Sequence, residues 1–166
     1  MNYVSDFSSL IRKTLDYSTK DKISLDEEIL YLKTYIDLER RRLNNFEYSI
    51  KVDQSIDAES VMIPPMLIQP AVENAILHGI RHLQGEGLLK IIFETDFPIG
   101  KVICTVEDNG IGRENSMKLY LTQKRIHNSR GSGIIKERAH IYGVTFTITD
   151  LTESGSSAGT RAVFIF

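Results

Sequence analysis

Cysteine is almost missing from this chain: Cys104 stands alone, inside the apolar run KVICTV. A single thiol cannot build a disulfide framework, so the chain reads as intracellular, with that thiol buried and inert. A basic excess is also missing. The formal net charge is -2, whereas a protein that lives on nucleic acid carries a clear cationic footprint, so nucleic acid is not expected as the main partner. No apolar run approaches the ~20 residues needed to cross a bilayer. The start, MNYVSDFSS, lacks the charged-then-apolar layout of a secretory signal. No membrane contact is therefore expected of these residues, which read as soluble. No internal repeat occurs.

What is present suits one sizeable core. The chain has 166 residues, of which 42% are hydrophobic and 25% charged, inside the ordinary globular range. Val4, Phe7, Leu10, Ile11 and Leu15 recur at helical spacing and predict an amphipathic helix over 3–18. Ser24-Leu25-Asp26-Glu27 matches a capping box, in which the serine hydroxyl and the glutamate each satisfy the other's backbone amide. A long helix should start there. Leu25, Ile29, Leu32, Ile36 and Leu43 give it a narrow apolar stripe, and Asn44-Asn45 should stop it. FEYSIKVD then alternates with period two, as a half-buried strand does.

Beyond this point IPPMLIQPAVENAILHG predicts a helix opened near Pro65 and closed by Gly79, with Pro70 forcing a later start or a bend. LLKIIFET and KVICTVE predict two strands joined by a Pro/Gly turn. Residues 113–130 have no clean period and predict a basic loop. After Gly131-Ser132-Gly133 a helix should run to Gly143, followed by strands VTFTITD and TRAVFIF on either side of ESGSSAG. Strands and helices in this order do not alternate as in a doubly wound sheet. They predict an α+β chain: a two-layer α/β sandwich, a mixed sheet with helices on one face, preceded by N-terminal helices. The expected division is a helical segment over 1–45 and an α/β domain over 46–166.

Four features fall at loops or helix ends: Asn74 in PAVENAILHG, the run VEDNGIG with Asp108, Gly110 and Gly112, the pair Gly131 and Gly133, and Gly159-Thr160. Each has an ordinary reading. Asn-Gly is a strong turn signal, and Asp bonds its own backbone in turns. Gly-x-Gly is common in loops, and Gly-Thr suits a hairpin corner. Together they describe a nucleotide site. Ionised Asp108 can accept a hydrogen bond from an exocyclic amine such as adenine N6. Gly110 and Gly112 would let a flat base approach backbone without a side-chain clash. Gly131 and Gly133 put unpaired amides and a helix N-terminus where phosphates could lie. Asn74 would give one oxygen to Mg2+, which takes few protein ligands, and His78, a turn further on, could reach a phosphate.

PPMLIQPAVENAILHG resembles the N box, VEDNGIGR the G1 box and GSGIIKERAHIYG the G2 box of the Bergerat-fold (GHKL) ATP-binding domain. The preceding SLDEEILYLKTYIDLERRRLNNFEYSIKVD is similar to LytS/YehU-type sensor histidine kinases. The resemblance spans about residue 7 to the end. It implies ATP and Mg2+ as cofactors, bound under a lid at residues 114–130 in which Lys118, Lys124, Arg125 and Arg130 help neutralise phosphates. It also implies Arg113, closing the G1 box, and Thr160 at the nucleotide, and Asn74, Glu73 and His78 as the catalytic set.

The resemblance further implies a cytoplasmic fragment of a membrane-anchored or sensor-linked protein. That protein would be a homodimer at full length, phosphorylating a histidine on its own helix and then serving the receiver domain of a response regulator. The sequence departs from the pattern in places. Leu77 stands where a basic residue is common, and Ser132 stands between the G2 glycines. None of His78, His82, His127 and His140 sits in the Pro-His-Phe setting of the phosphoacceptor, which is expected upstream. GHKL ATPases carry a glutamate four residues before the metal-binding asparagine to activate water, and here that position is Pro70. Neutral imidazole has a lone pair without such a base, which favours histidine as acceptor. Two alternatives stay open: a degenerate nucleotide- or partner-binding module, and a GHKL ATPase.

Overall fold

The computed structural model describes residues 3–96, 98–122 and 131–166. It begins with α1 (Tyr3–Tyr17), which packs on α2 (Leu25–Leu43) through Leu10 and Tyr17, both buried. Thr14 Oγ1 and Tyr31 OH share a 2.9 Å hydrogen bond across that seam. The other face of α1 leaves Val4, Phe7, Ile11 and Leu15 exposed. The predicted capping box is present: the Glu27 amide donates to Ser24 Oγ at 3.2 Å, and the Ser24 amide donates to Glu27 Oε2 at 3.0 Å. Asn44 ends α2 in the left-handed region, at φ 51°, its amide returning to the Arg40 carbonyl at 2.8 Å. Asparagine tolerates that conformation, which is why the helix stops there.

The buried side of α2 is broader than the predicted stripe, taking in Glu28, Tyr31, Tyr35 and Leu38 as well. α1 covers it on one side and the α/β layer on another, so one stripe could not describe it. Between the helices β1 (Ile23–Ser24) pairs antiparallel with β3 (Met62–Ile63), tying the start of α2 to the chain beyond β2 (Phe46–Val52). Leu32 and Ile36 of α2 belong to the same continuous core as Phe93 and Phe164 of the sheet.

Strands β4 (Gly87–Asp96), β5 (Lys101–Asp108), β6 (Thr145–Glu153) and β7 (Ser156–Ile165) join β2 in a sheet of order β2-β4-β5-β7-β6. The β2/β4 pair is parallel and the others antiparallel, so the sheet is mixed, as expected. A parallel pair needs a long crossover, and here it carries β3 and the next helix. Alternate residues turn to one buried face: Leu89, Ile91 and Phe93 in β4, Val102, Cys104 and Val106 in β5, Ala162 and Phe164 in β7. Register aligns these residues in rows, Phe93 with Cys104 and Phe164, Ile91 with Val106 and Ala162. The next row of the same face is Leu89, Asp108 and Thr160.

Four local expectations change. The N-box helix, α3 (Gln69–Asn74), starts later than Pro65, because Met66 sits at φ 53° and cannot continue a right-handed helix. Pro70 falls in the first turn, where its missing amide had no partner to lose. The chain then widens into a π turn over Ala75–Gly79 and tightens into a 3-10 turn over Ile80–His82. Residues predicted as a basic loop from 113 form α4 (Gly112–Thr122) as far as 122. It packs on β7 and on the π turn, so tertiary contact supplies what its polar sequence does not signal. α5 (Gly131–Ile141) includes Gly131 and Gly133 in its first turn and ends at Gly143, φ 69°. Finally, the β6–β7 connection is only Ser154-Gly155, both at positive φ (50° and 79°), as a tight hairpin requires. Gly159-Thr160 therefore lies within β7 and not ahead of it.

Candidate nucleotide-binding site

Asp108 is the last residue of β5 and only 2% exposed. Its Oδ1 accepts the Gly110 amide at 2.8 Å and its Oδ2 accepts the Thr160 hydroxyl at 2.5 Å. Burial pushes its carboxyl above the ordinary value, while the Thr160 and Gly110 bonds pull it back. The neighbouring Asn109 makes the turn-like bonds: its Oδ1 accepts the Leu88 amide at 2.6 Å and its Nδ2 donates to the Glu86 carbonyl at 3.1 Å. Asn109 thus clips β5 to the start of β4 and leaves Asp108 to point into the core face. Sequence reasoning took Asn109 for part of a turn signal and missed that clip.

Glycines enclose the carboxylate. A Cβ on Gly79 would lie 2.7 Å from Asp108 Oδ1, one on Gly110 2.3 Å from the Gly79 carbonyl carbon, and one on Gly159 1.9 Å from the Asp108 carbonyl oxygen. Gly112, at φ 74°, would drive a Cβ to 1.8 Å from Ser157 Oγ. The space that a Cβ would take at Gly110 and at Gly112 is filled by the chain itself, so each position requires glycine for packing. Gly133 differs, since an added Cβ there would meet nothing within 4 Å among the described residues.

On the facing helix Asn74 is half-buried at the end of α3, and its side chain has no hydrogen-bond partner among the described residues. Glu73 accepts a 2.7 Å bond from Gln69 Nε2 and feels Glu39 of α2, with burial raising its carboxyl. Its field reaches Tyr31 and Tyr35, again on α2. Glu73 thus faces the N-terminal helices. His78, in the π turn, is hydrogen-bonded through Nδ1 to Tyr120 OH of α4, with the rings edge to face at 5.3 Å. Burial, then His82 and Arg81, lower the His78 pKa. Tyr120, a residue that the sequence pattern did not single out, therefore holds one of the two ring nitrogens of His78.

Arg113 is the clearest displacement. Expected at the nucleotide, it instead makes two bonds to Asp150 of β6, 2.9 and 2.7 Å long, at an exposed edge. Lys118 lies in α4 beside Glu114 at 2.7 Å. Lys124, Arg125 and Arg130 lie outside the described residues. Leu77 packs against the core, which accounts for an apolar residue at that position. Among the described residues no three His, Cys, Asp or Glu side chains cluster as metal ligands. The Asn74 amide suits an ion that keeps most of its water.

The Histidine kinase family matches residues 1–46. Over 127 residues the chain is 28% identical to the sensor protein LytS of Staphylococcus haemolyticus, covering 76% of this chain and 21% of LytS. The chain is a homologue of the LytS sensor histidine kinases. A putative uncharacterized protein of Bacillus subtilis, YwpD, is 29% identical over 155 residues, 92% of this chain and 54% of YwpD. The chain thus spans about half the length of one relative and about a fifth of the other. In three dimensions this LytS homologue is similar to the histidine kinase domain of the blue-light activated kinase of Erythrobacter litoralis EL346. The TM-score is 0.60 at 16% identity, covering 89% of this chain and 68% of that one. That likeness gives the fold, the sandwich of histidine kinase catalytic domains.

Proposed function

We propose that this chain is the ATP-binding catalytic domain of a sensor histidine kinase, transferring the γ-phosphoryl group of ATP to a histidine outside these residues. Asp108 carries the reading. An ionised carboxylate has about four acceptor sites, and Gly110 and Thr160 occupy two of them, leaving capacity for an exocyclic amine. Thr160 keeps the carboxylate in one rotamer, so the acceptor is set before ligand arrives. ATP with Mg2+ supplies the transferable group and the cation that offsets its charge. Asn74 fits as a single protein ligand to that cation, and the first turn of α5, with Gly131 and Gly133, offers unpaired amides to phosphate oxygens.

Positioning does most of the remaining work in such a transfer. Pro70 offers no general base, so water is a poor acceptor by this route. Glu73 is proposed to orient the incoming histidine, a role supported by its place beside α2, next to the helical region. Residues 1–45 are proposed as the end of a dimerisation region. The exposed apolar face of α1 supports homodimer formation at full length. A response regulator receiver domain is the proposed downstream partner, and the full-length protein is proposed to be held at a membrane or sensor. No described helix is long and apolar enough to cross one.

Calorimetry with an ATP analogue and Mg2+ tests the site. Asp108→Asn should weaken binding by about tenfold or more, the scale of a lost bond to a charged group, with the melting curve near wild type. Unchanged affinity would remove the adenine assignment. Asn74→Ala should abolish Mg2+-dependent transfer to a supplied histidine-bearing partner. Steady phosphate release from the chain alone would point to an ATPase, and absence of analogue binding to a degenerate module.

A further inference from the structure

The turn before α3 is gripped from both sides. Glu28 is fully buried on α2, and its Oε2 accepts the Met66 amide at 3.0 Å. From α5, Arg138 Nη1 donates to the Met66 carbonyl at 3.0 Å and Nη2 to the Pro65 carbonyl at 3.2 Å. Met66 is at φ 53°, a conformation that a side chain with a Cβ adopts only when its surroundings hold it. One residue of strained backbone is thus bonded at its amide by one helix and at its carbonyl by another. Glu28 Oε1 has no partner among the described residues, so the carboxyl group is buried with one of its oxygens unpaired. That is an expensive arrangement to maintain for packing alone.

The consequence lies in what the two helices carry. Met66 sets the direction in which the chain enters α3, whose last residue is Asn74. Arg138 lies about two turns along α5 from Gly131 and about one and a half from Gly133, and α3 packs on α5. A shift at the Met66 peptide would therefore move Asn74 relative to the first turn of α5, while the Leu89–Asp108–Thr160 row is held by sheet register. We infer that Glu28 and Arg138 are positioning residues for the triphosphate end of the nucleotide site, locking α3 and α5 at one separation through the Met66 peptide. This rests on the nucleotide reading above. It also gives α2 a direct link to that end of the site, because Glu28 is part of α2.

The two ends can be measured separately. Adenosine reports the Asp108 end, and a non-hydrolysable ATP analogue with Mg2+ reports both, so the ratio of their affinities isolates the triphosphate contribution. Arg138→Met should shrink that ratio by about tenfold, the scale of a charge-assisted bond, while adenosine binding stays within about twofold of wild type. Glu28→Leu should do the same. Glu28→Gln, which keeps an acceptor for the Met66 amide, should restore the ratio, and Arg138→Lys should fall between. The conservative pair also keeps the test decisive should the larger replacements not fold. Equal losses for adenosine and analogue in folded variants, or a ratio unchanged in Arg138→Lys and Arg138→Met, would overturn the positioning role. A wild-type chain that bound neither ligand would overturn the nucleotide reading itself, and this inference with it.

Discussion

The two ends of the candidate site are built in opposite ways. At the Asp108 end every part is fixed by sheet register and by backbone packed on backbone, with Gly79, Gly110 and Gly159 filling the places that side chains would otherwise contest. At the triphosphate end the parts sit on separate helices, and among the described residues Asn74 lacks a side-chain partner and Gly133 has nothing beside it. A base is flat and invariant, so a rigid socket suits it. Phosphates change during a transfer, and helices held by a few bonds can accommodate that.

The comparison breaks most sharply at the glycines. Gly110→Ala places a Cβ against the Gly79 backbone, which no rotamer can relieve, and should destabilise the fold by about 3 kcal/mol or more. Thermal or denaturant unfolding measures it, and a near-neutral result would mean that the socket is not close-packed.

Next in size is Glu28. Burial raises its carboxyl to about 7 from an ordinary 4.5, against the pull of the Met66 and Ile68 amides and the Arg138 charge; Tyr17, Tyr31 and Cys104 also feel its field. The folded chain thus holds a proton that the unfolded chain has lost between those values. Its contribution to stability is fully present below 4.5 and is lost as pH rises through about 7. Glu28→Gln does not titrate, so its stability relative to wild type should rise over that window, by at most about 3 kcal/mol. Parallel pH profiles for the two chains would contradict the buried carboxylate.

Thr160→Val sharpens the Asp108 end. It removes the hydroxyl that lowers the Asp108 pKa, so adenosine binding should weaken by about tenfold near neutrality. The acid limb of binding should also move to higher pH, because neutral Asp108 cannot act as the same acceptor. An unmoved acid limb would separate Thr160 from the carboxylate. Smallest is Gly133→Ala. With open space and a helical position, it should leave the ligand-free chain unchanged or stabilise it by up to about 1 kcal/mol. Destabilisation there would show that the two ends are packed alike.

Several of these positions were visible in the sequence, but their uses were not. Asp108 and Thr160 stand out as an acid by glycines and as a Gly-Thr pair, and they meet only because β5 and β7 pair in one register. Arg113 adjoins the motif in sequence, yet the curl of α4 turns it to Asp150. Tyr120 lies in a stretch without apolar period, so nothing local marked it as the partner of His78. Glu28 adjoins the capping box and falls outside the apolar stripe, so no local signal marked it as buried.

The sequence by itself determined the start of α2 through its capping box, the stop at Asn44, the alternating strands of the sheet and the residues of the nucleotide motifs. Each of those signals acts over a few bonds, within one turn or one pleat. Tertiary structure alone decided which glycines are walls and which is open, that α4 is a helix, that Met66 is held at positive φ, and that Glu28 lies buried beneath it. Those outcomes depend on residues tens of positions apart coming within hydrogen-bond or van der Waals range, and only the packed chain sets such distances.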